Sequence, residues 1–421
     1  MKRIWIFGGI ALALILAFCG IGGFFLYRGL VDSAGTLEPE FRRAKENQIP
    51  LVWADLEPPR ALEPNQNAAL DYKKIFDLWQ TERPRFTDER WDSFIRGQGV
   101  PDDRKQIQNA LNGLNPLFKS ASAKTEVQWQ IDYSLRAFTS YPGFAAIVDA
   151  NEINLQKNQY RTAVRSVDLD QIKDAFRVSD HILASNDPGS LRASARIRMS
   201  ALEAAGRSLT ETPRVAQDST KYYQALLSIL EQVKPIDPLP FWRRTAFLQF
   251  ITWDEYEKLT ADQRELFAAS RRDHDLIIDS ATSEILKFWN DALAQAKGET
   301  QLGQQLLLGE RVLRIRDRTD IAALPLQKLW TLDSATKGAA SIDWLIAEEQ
   351  LQLLRQVLDI LNANSTEFPD EFKCKRKSVI GEKFYDYEKT DAGFRITATP
   401  SNRLVPASAL AQRKLTYEFS R

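Results

Sequence analysis

Three arginines have the spacing of one helix face. Arg311, Arg314 and Arg318 stand at i, i+3 and i+7, and such a stripe could bind an anionic polymer or a lipid head group. Acidic residues are interleaved with them, namely Glu310, Asp317 and Asp320. Interleaved charges of opposite sign are typical of a salt-bridged, solvated face, so we rank that interpretation first and partner binding second.

A second basic cluster lies near the C-terminal end of the chain. It surrounds Cys374 and consists of Lys373, Lys375, Arg376 and Lys377. A solvated loop explains this cluster most simply. Among the surfaces that the sequence offers, it is nevertheless our preferred contact for an acidic partner.

The chain has only two histidines, His181 and His274, which restricts metal and nucleophilic chemistry. A zinc site needs three or four ligands, and a Ser-His-Asp triad needs one well-placed histidine. Asp275 and Asp279 could share a helix face beside His274, but acidic residues at a helix start are explained by the helix dipole. His181 is interpreted as a capping or surface residue. We therefore assign no metal ligand, no cofactor and no catalytic residue.

Carboxylates leave one enzymatic alternative open. The chain has 56 acidic residues, so a glycosidase with paired carboxylates is an alternative that the sequence cannot locate. The adjacent pairs at 254–255 and 348–349 point in different directions on a helix, and neither is assigned a catalytic role. No glycine-rich phosphate loop, CxxC or HExxH motif occurs. The sequence leans against an enzyme without deciding the question.

Tryptophans are numerous enough to suggest carbohydrate stacking. The relevant ones are Trp79, Trp91, Trp129, Trp242, Trp253, Trp289, Trp330 and Trp344. Several of them fall on apolar faces of predicted helices, where core packing is the common role. We therefore predict that these side chains are part of the core.

The N-terminal stretch predicts a membrane anchor. Residues 4–27 form one uncharged run of 24 residues, which is long enough to cross a bilayer as a helix. Trp5 and Tyr27 stand near its two ends, where interfacial aromatics are common. A cleaved signal peptide is the rival interpretation, but the run exceeds the usual apolar region and no small-x-small cleavage site follows it. A lipoprotein interpretation of Cys19 fails because Phe18 stands where a small residue belongs.

Flanking charges do not settle the orientation of this anchor. Lys2 and Arg3 precede it, and several basic residues follow it, beginning with Arg28. A long domain after a short head can translocate largely regardless of these charges. We expect a single-pass protein of a bacterial cytoplasmic membrane, with the bulk of the chain extracytoplasmic.

Composition limits the class of partner. Lys plus Arg and Asp plus Glu are 56 each, so no overall field points to nucleic acid, and none is expected as a partner. Apolar residues at 44% suffice for a packed core, and 19 glycines are too few for a turn-rich all-β body. With only two cysteines, a disulfide scaffold is excluded, and Cys374 is either free or bridges two copies.

The whole chain divides into four predicted regions. Residues 1–30 are the transmembrane anchor and 31–65 a proline-broken connector, with a short helix near 38–47 and apolar residues that dock on the main body. Residues 66–365 are an α-helical body, and 366–421 a small β-containing tail. The fold class is therefore mainly α, with an irregular stack of antiparallel helices and a small C-terminal β-hairpin.

Helical periodicity is clearest in the middle of the body. In 188–209 an apolar face comprises Leu191, Ala195, Met199, Leu202, Ala205 and Leu209, and Gly206 would let a neighbour approach closely. Further helices are predicted over 168–184, 220–234, 241–251, 253–269, 275–297, 300–317 and 341–363. Residues 125–142 are ambiguous between strand and helix. In the last helix, Glu348, Gln352, Arg355 and Asp359 are placed on the face opposite the apolar one.

The tail shows strand-like alternation. Residues 384–388 and 394–398 flank a turn that ends at Gly393, which predicts a β-hairpin, and 415–419 could add a third strand.

Three segments resemble uncharacterised envelope proteins of planctomycete-type bacteria. They are EPNQNAALDY at 63–72, the stretch from DLD at 168–170 through NDPGSL at 186–191, and GEKFYDY at 381–387 followed by Gly393 and Phe394. The chain departs from that pattern at 377–380, where an Asp-Pro-Phe would precede the glycine. The resemblance implies an envelope location, one membrane helix, a helical body and a β tail, and it implies no known activity.

These observations favour a membrane-anchored protein with a structural or protein-interaction role. The expected partners are the lipid bilayer and another envelope protein, and a homo-oligomer is a further alternative. A hydrolase acting on a cell-envelope polymer is the second hypothesis. A prepilin-like secretion component is the third, and the missing acidic residue early in the apolar helix argues against it.

Overall fold

A computed structural model gives the fold. It describes residues 37–56, 60–95, 100–131, 143–157, 168–186, 189–211, 216–255, 274–299, 308, 334–363, 368–380, 383–399 and 416–420. The predicted anchor at 4–27 lies outside these residues. Within them, no helix combines the length and the apolar character that crossing a bilayer would require.

The described chain is mainly helical and ends in a small antiparallel sheet. The helices are α1 (Leu37–Glu46), α2 (Ala69–Glu82), α3 (Asp88–Ile95), α4 (Pro101–Ala110), α5 (Leu114–Ala123), α6 (Gly143–Lys157), α7 (Leu169–Leu183), α8 (Ser190–Glu211), α9 (Ala216–Gln232), α10 (Leu239–Asp254), α11 (His274–Ala296) and α12 (Ser334–Ala363). The strands are β1 (Asp386–Thr390), β2 (Gly393–Thr397) and β3 (Thr416–Ser420). Short 3₁₀ turns occur at Trp53–Leu56 and Arg83–Arg85.

Helix α8 is central to the body. It packs against α6, α7 and α12, and β3 also contacts it. The predicted face is confirmed, since Leu191, Ala195, Leu202, Ala205 and Leu209 are buried and Met199 packs against the core. Small side chains on a helix let several neighbours approach closely, which explains how one helix can serve as their common support.

Core packing of the tryptophans is confirmed for those whose side chains are described as buried, namely Trp79, Trp91, Trp242, Trp289 and Trp344. Trp129 is partly buried against the same core. The side chains of Trp253 and Trp330 lie outside the described set.

The connector docks on the body, as predicted. Its helix α1 packs against α11, where Asn290 donates to the backbone oxygen of Glu40 at 2.9 Å and to its carboxylate at 2.8 Å. Asn47 donates to Asn290 at 2.9 Å, and Arg43 pairs with Asp291. Trp53, after the helix, packs edge-on against Phe247 with ring centroids 5.0 Å apart.

The tail hairpin and its third strand are confirmed. The sheet order is β1-β2-β3, both pairings are antiparallel, and Phe394 on the central strand faces Phe419 on β3 in the register. Phe394 is fully buried, and its ring stacks on that of Phe419. Tyr417 of β3 donates to the backbone oxygen of Gly206 at 2.9 Å, so the close approach predicted for that glycine is also confirmed.

Other predictions differ from the structure or fall outside it. The helix predicted at 241–251 is observed as α10, and most of that predicted at 253–269 lies outside the described residues. The strand-like residues 125–131 form one isolated bridge, between Glu126 and Asn67, and no ladder. Helix α12 begins earlier than predicted, at Ser334. Of the segment 300–317 only Leu308 is described.

Candidate functional site

Two cavities combine volume with chemically useful side chains. The first, which we call the tail groove, lies between α8, α12 and β3 and has a volume of about 690 Å³. Its apolar lining comes from both helices and includes Met199, Leu202, Leu353 and Leu354. Within the groove, the side-chain oxygen of Gln350 is buried and has no hydrogen-bond partner among the described residues.

Strand β3 presents its backbone to the tail groove. Three consecutive residues, Thr416, Tyr417 and Glu418, line the cavity. Successive side chains of a strand point to opposite faces, so a run of neighbours lining one cavity indicates that the strand edge faces it. Among the described residues β3 pairs only with β2, which leaves this edge available for pairing.

The segment before the sheet is fastened to α12 by buried polar groups. One carboxylate oxygen of Glu349 accepts from the Ser378 hydroxyl at 3.0 Å and from the Ile380 N–H at 2.9 Å. The other accepts from the Tyr385 hydroxyl at 2.7 Å. The side-chain oxygen of Gln356 accepts from the N–H groups of Lys375 and Arg376, both at 2.9 Å. Residues 375–385 are thus hydrogen-bonded to α12, which is one of the two helices that line the groove.

The predicted basic cluster is only partly free. Lys373, Lys375 and Lys377 are exposed, whereas Arg376 pairs with Asp359 of α12 at 2.7 Å and with Glu231 of α9. The arginine therefore joins helices, and the Lys377 ammonium lies over the Phe384 ring, 5.6 Å from its centroid. Lys373 and Lys375 are the part left available for a partner. That they bind one stays a prediction. Arg311, Arg314 and Arg318 lie outside the described residues.

Cys374 is buried within this cluster and has a free thiol. Burial raises the pKa of the thiol to about 11, and the nearby carboxylates of Asp386 and Asp359 act in the same direction. A buried, protonated thiol is neither a good nucleophile nor accessible to a second copy. Of the two alternatives in the sequence, a free cysteine fits this environment.

The second cavity, which we call the polar cleft, has a volume of about 660 Å³. The C-terminal part of α7 supplies Arg177, Asp180 and His181 to its lining, and α8 supplies Arg198. The segment between α9 and α10 adds Lys234 and Asp237, and residues 125–128 close another side. A cavity with several convergent charged and hydrogen-bonding groups is the usual form of a ligand site.

His181 is buried at the polar cleft, with 4% of its surface exposed. Its prediction as a capping or surface residue is wrong, because α7 directs this position toward Tyr72 of α2. The Nδ1 atom lies 2.9 Å from the Tyr72 hydroxyl, and the Trp129 indole donates to the His181 carbonyl at 2.8 Å. Burial, and after it the charge of Arg177, lower the pKa of His181 to about 4 against an opposing contribution from the Lys124 backbone. The imidazole is therefore neutral at neutral pH.

Arg198 makes several hydrogen bonds at the polar cleft, although only 2% of its side chain is exposed. It donates to Glu348 at 2.9 Å, to Asp180 at 3.0 Å, to the Ser179 hydroxyl at 3.0 Å and to the Lys234 carbonyl at 3.1 Å. A buried guanidinium needs such a set of acceptors to offset the loss of hydration.

The predicted polar face of α12 requires a correction. Glu348 and Arg355 are buried, so these two residues do not belong to an outer polar face. Burial raises the pKa of Glu348, while Arg198 and Arg355 lower it. Arg355 donates to the carbonyls of Leu230 and Val233 at the end of α9, a role that helix periodicity alone does not reveal.

Sequence reasoning therefore missed the residues at the centre of the polar cleft. A signal for Arg198 was present, because it stands three residues after Ala195 and four before Leu202, on the predicted apolar face of α8. A charged residue on such a face needs buried partners. No comparable signal exists for His181, whose partner Tyr72 is 109 positions away.

Comparison of the chain with protein-family models, with curated proteins and with solved structures finds no match. Function must therefore be argued from the two cavities and from the chemistry of the residues around them. Among the described residues, no group of three or more histidine, cysteine or carboxylate side chains could hold a metal ion.

Proposed function

We propose that this chain is a membrane-anchored, extracytoplasmic protein that binds another envelope protein through the tail groove. The observation that carries the binding role is a groove of about 690 Å³ lined by apolar side chains of α8 and α12 and by the edge of β3. Apolar grooves between helices, rimmed by polar residues, are typical of protein–protein contacts.

The occupant that fits this groove is an extended segment of the partner. An edge strand binds such a segment by adding it to the sheet, with main-chain hydrogen bonds supplying affinity and side-chain pockets supplying specificity. Here the edge of β3 would supply the hydrogen bonds, and the Leu202, Leu353 and Leu354 side chains a pocket.

The membrane location rests on the sequence of the anchor. The uncharged run at 4–27 supports a single span in a bacterial cytoplasmic membrane. An extracytoplasmic body is part of the proposal, because a long domain can translocate largely regardless of flanking charges. Deletion of residues 1–30 should release the protein from the membrane fraction. Recovery of the deleted protein with membranes after high-salt washing would contradict the anchor.

A hydrolase acting on an envelope polymer is the second-ranked function. Such an enzyme would need two carboxylates at a defined separation across a cleft that holds the polymer. Among the described residues, no tryptophan on which a sugar could stack lines either cavity. The available carboxylates of the polar cleft are engaged with cations or with a backbone N–H, which makes them poor acid–base pairs.

The binding proposal is tested by site-specific photo-crosslinking in the full-length protein in membranes. A photoreactive residue replaces Glu203, an exposed residue of α8 that lines the groove. The matched control places it at Gln224, which is exposed on α9 and does not line the groove. We expect one reproducible partner at Glu203 and none at Gln224.

A second variant tests whether the partner adds to the sheet. Replacing Thr416 by arginine fills the groove at the strand edge without removing a buried side chain, so the crosslink from Glu203 should be lost. The same crosslinked band at both Glu203 and Gln224, or no band at either, would overturn the groove as the binding site.

A further inference from the structure

Two cations of the polar cleft have side chains with no ion pair or hydrogen-bond partner among the described residues. Arg177 and Lys234 are exposed and both line the cleft. Arg177 lies close enough to His181 for its charge to lower the pKa of the imidazole. Lys234 is held near Arg198, because its carbonyl accepts from that guanidinium at 3.1 Å. The free positive charges therefore converge on one cavity from α7 and from the end of α9.

The carboxylates of the same cleft are already engaged. Asp180 accepts from Arg198 at 3.0 Å, and Glu126 pairs with Arg60 at 3.3 Å. Asp237 accepts from the N–H group of Leu239 at 3.0 Å at the start of α10. Each of these carboxylates thus has a donor within the protein, whereas the side chains of Arg177 and Lys234 have no acceptor among the described residues. A ligand that carries negative charge would complete this arrangement.

His181 lies in the lining of the same cleft as a neutral imidazole. Its Nε2 atom is buried and makes no hydrogen bond of normal geometry with a described residue, although the Lys124 backbone is near. The other ring nitrogen is held by the Tyr72 hydroxyl at 2.9 Å. When that hydroxyl donates to Nδ1, the proton of the neutral ring is on Nε2. Because the charge of Arg177 acts on this ring, an anion that pairs with Arg177 would change its electrostatic environment.

We propose that the polar cleft binds a small organic anion, whose carboxylate or phosphate group lies between Arg177 and Lys234 and close to His181. The cavity of about 660 Å³ is of the size used for small-molecule ligands. This inference does not depend on the tail groove, since the two cavities share no lining residue.

The test is a titration of the full-length protein, labelled with ¹⁵N at histidine. The chain has two histidines, so the ring signals are assigned with one variant, His274→Gln. Inorganic phosphate and acetate are the two probes, each compared with sodium chloride at equal ionic strength. We expect a saturable shift of the His181 ring signals with one or both probes and none with chloride. The probe that saturates at the lower concentration identifies the anionic group.

Charge-removing variants decide whether the cleft is responsible. Arg177→Gln and Lys234→Gln alter exposed side chains and should each weaken binding about tenfold or more, the usual loss for a hydrogen bond to a charged group. Lys173→Gln removes a charge from an exposed residue of α7 outside the cleft and should leave the affinity unchanged. No saturable shift with either probe, or the same affinity in all three variants, would overturn the proposal.

Discussion

Arg198 of α8 donates to the carboxylate of Glu348 on α12 across 2.9 Å, although 150 positions separate them in the chain. Both side chains are more than nine-tenths buried. A buried ion pair is costly to break on one side only, because the remaining charge is left without hydration and without a partner. This contact therefore joins α8 to α12, and removing one of its two charges should measurably lower the stability of the fold.

Substitution of Arg198 by leucine should lower the free energy of unfolding by about 3–5 kcal/mol, because Glu348 loses its closest cation. Urea denaturation measures the change. The matched control is Arg196→Leu on the same helix, whose pair with Asp149 is half-exposed and should be worth no more than about 1 kcal/mol. The double variant Arg198→Leu, Glu348→Leu should recover most of the loss. Equal losses for Arg198→Leu and Arg196→Leu would contradict the larger contribution of the buried pair.

Replacement of Tyr385 by phenylalanine should cost about 1–3 kcal/mol, because one buried oxygen of Glu349 loses its donor at 2.7 Å. Thermal or urea unfolding of the full chain gives the value. Tyr387→Phe is the control, since its hydroxyl donates to the Pro369 carbonyl and its ring is only partly buried. We expect a smaller loss there. A larger loss for Tyr387 would show that Glu349 does not fasten the tail.

Acid should destabilise the fold through His181. The pKa of this group is lowered in the folded protein from 6.5 to about 4, so the unfolded chain binds more protons between these values. The stability that the neutral imidazole contributes is fully present above pH 6.5. It is lost as the pH falls from there through about 4, and the total loss in the free energy of unfolding is roughly 3 kcal/mol. His181→Gln should remove this part of the pH dependence of unfolding, and His274→Gln should not. A His181 ring signal that titrates near pH 6.5 would refute the prediction.

A bulky residue at position 206 should detach β3. A Cβ atom on Gly206 would lie 3.3 Å from the Tyr417 ring, so a leucine there cannot fit without moving the strand. Faster hydrogen exchange of the amides in 416–420 is the expected result. Gly298→Leu is the matched control, because nothing lies within 4 Å of a Cβ atom at that position. Unchanged exchange in the Gly206 variant would mean that the strand does not depend on this approach.

Regular elements with a strong period could be predicted from the sequence. The apolar face of α8, the hairpin β1–β2 and the strand β3 all follow from local alternation and turn residues, which act over a few positions. The close approach at Gly206 was also predictable, because a glycine on a buried helix face leaves room for another element. The packing partner itself, Tyr417, was not, since it is 211 positions away.

Local sequence patterns did not predict which polar side chains are buried. Glu348 and Arg355 were placed by periodicity on an outer face of α12, and His181 was assigned to a helix end near solvent. Each of them is buried because a specific acceptor or donor from another element meets it. Such pairings depend on tertiary geometry, so a sequence without detected relatives gives no direct indication of them.

Helix α1 determines how the chain ahead of it is joined to the body. Its ten residues are held on α11 by Asn290 and by the pair Arg43–Asp291, far along the chain from the tail sheet. A mechanical pull on residues before Leu37 would therefore be borne first by these contacts. If α1 yields under tension, β3 and the helices around the tail groove need not change shape. Undocking of α1 would then absorb a force applied to the residues before Leu37, and the shape of the tail groove would not depend on that force.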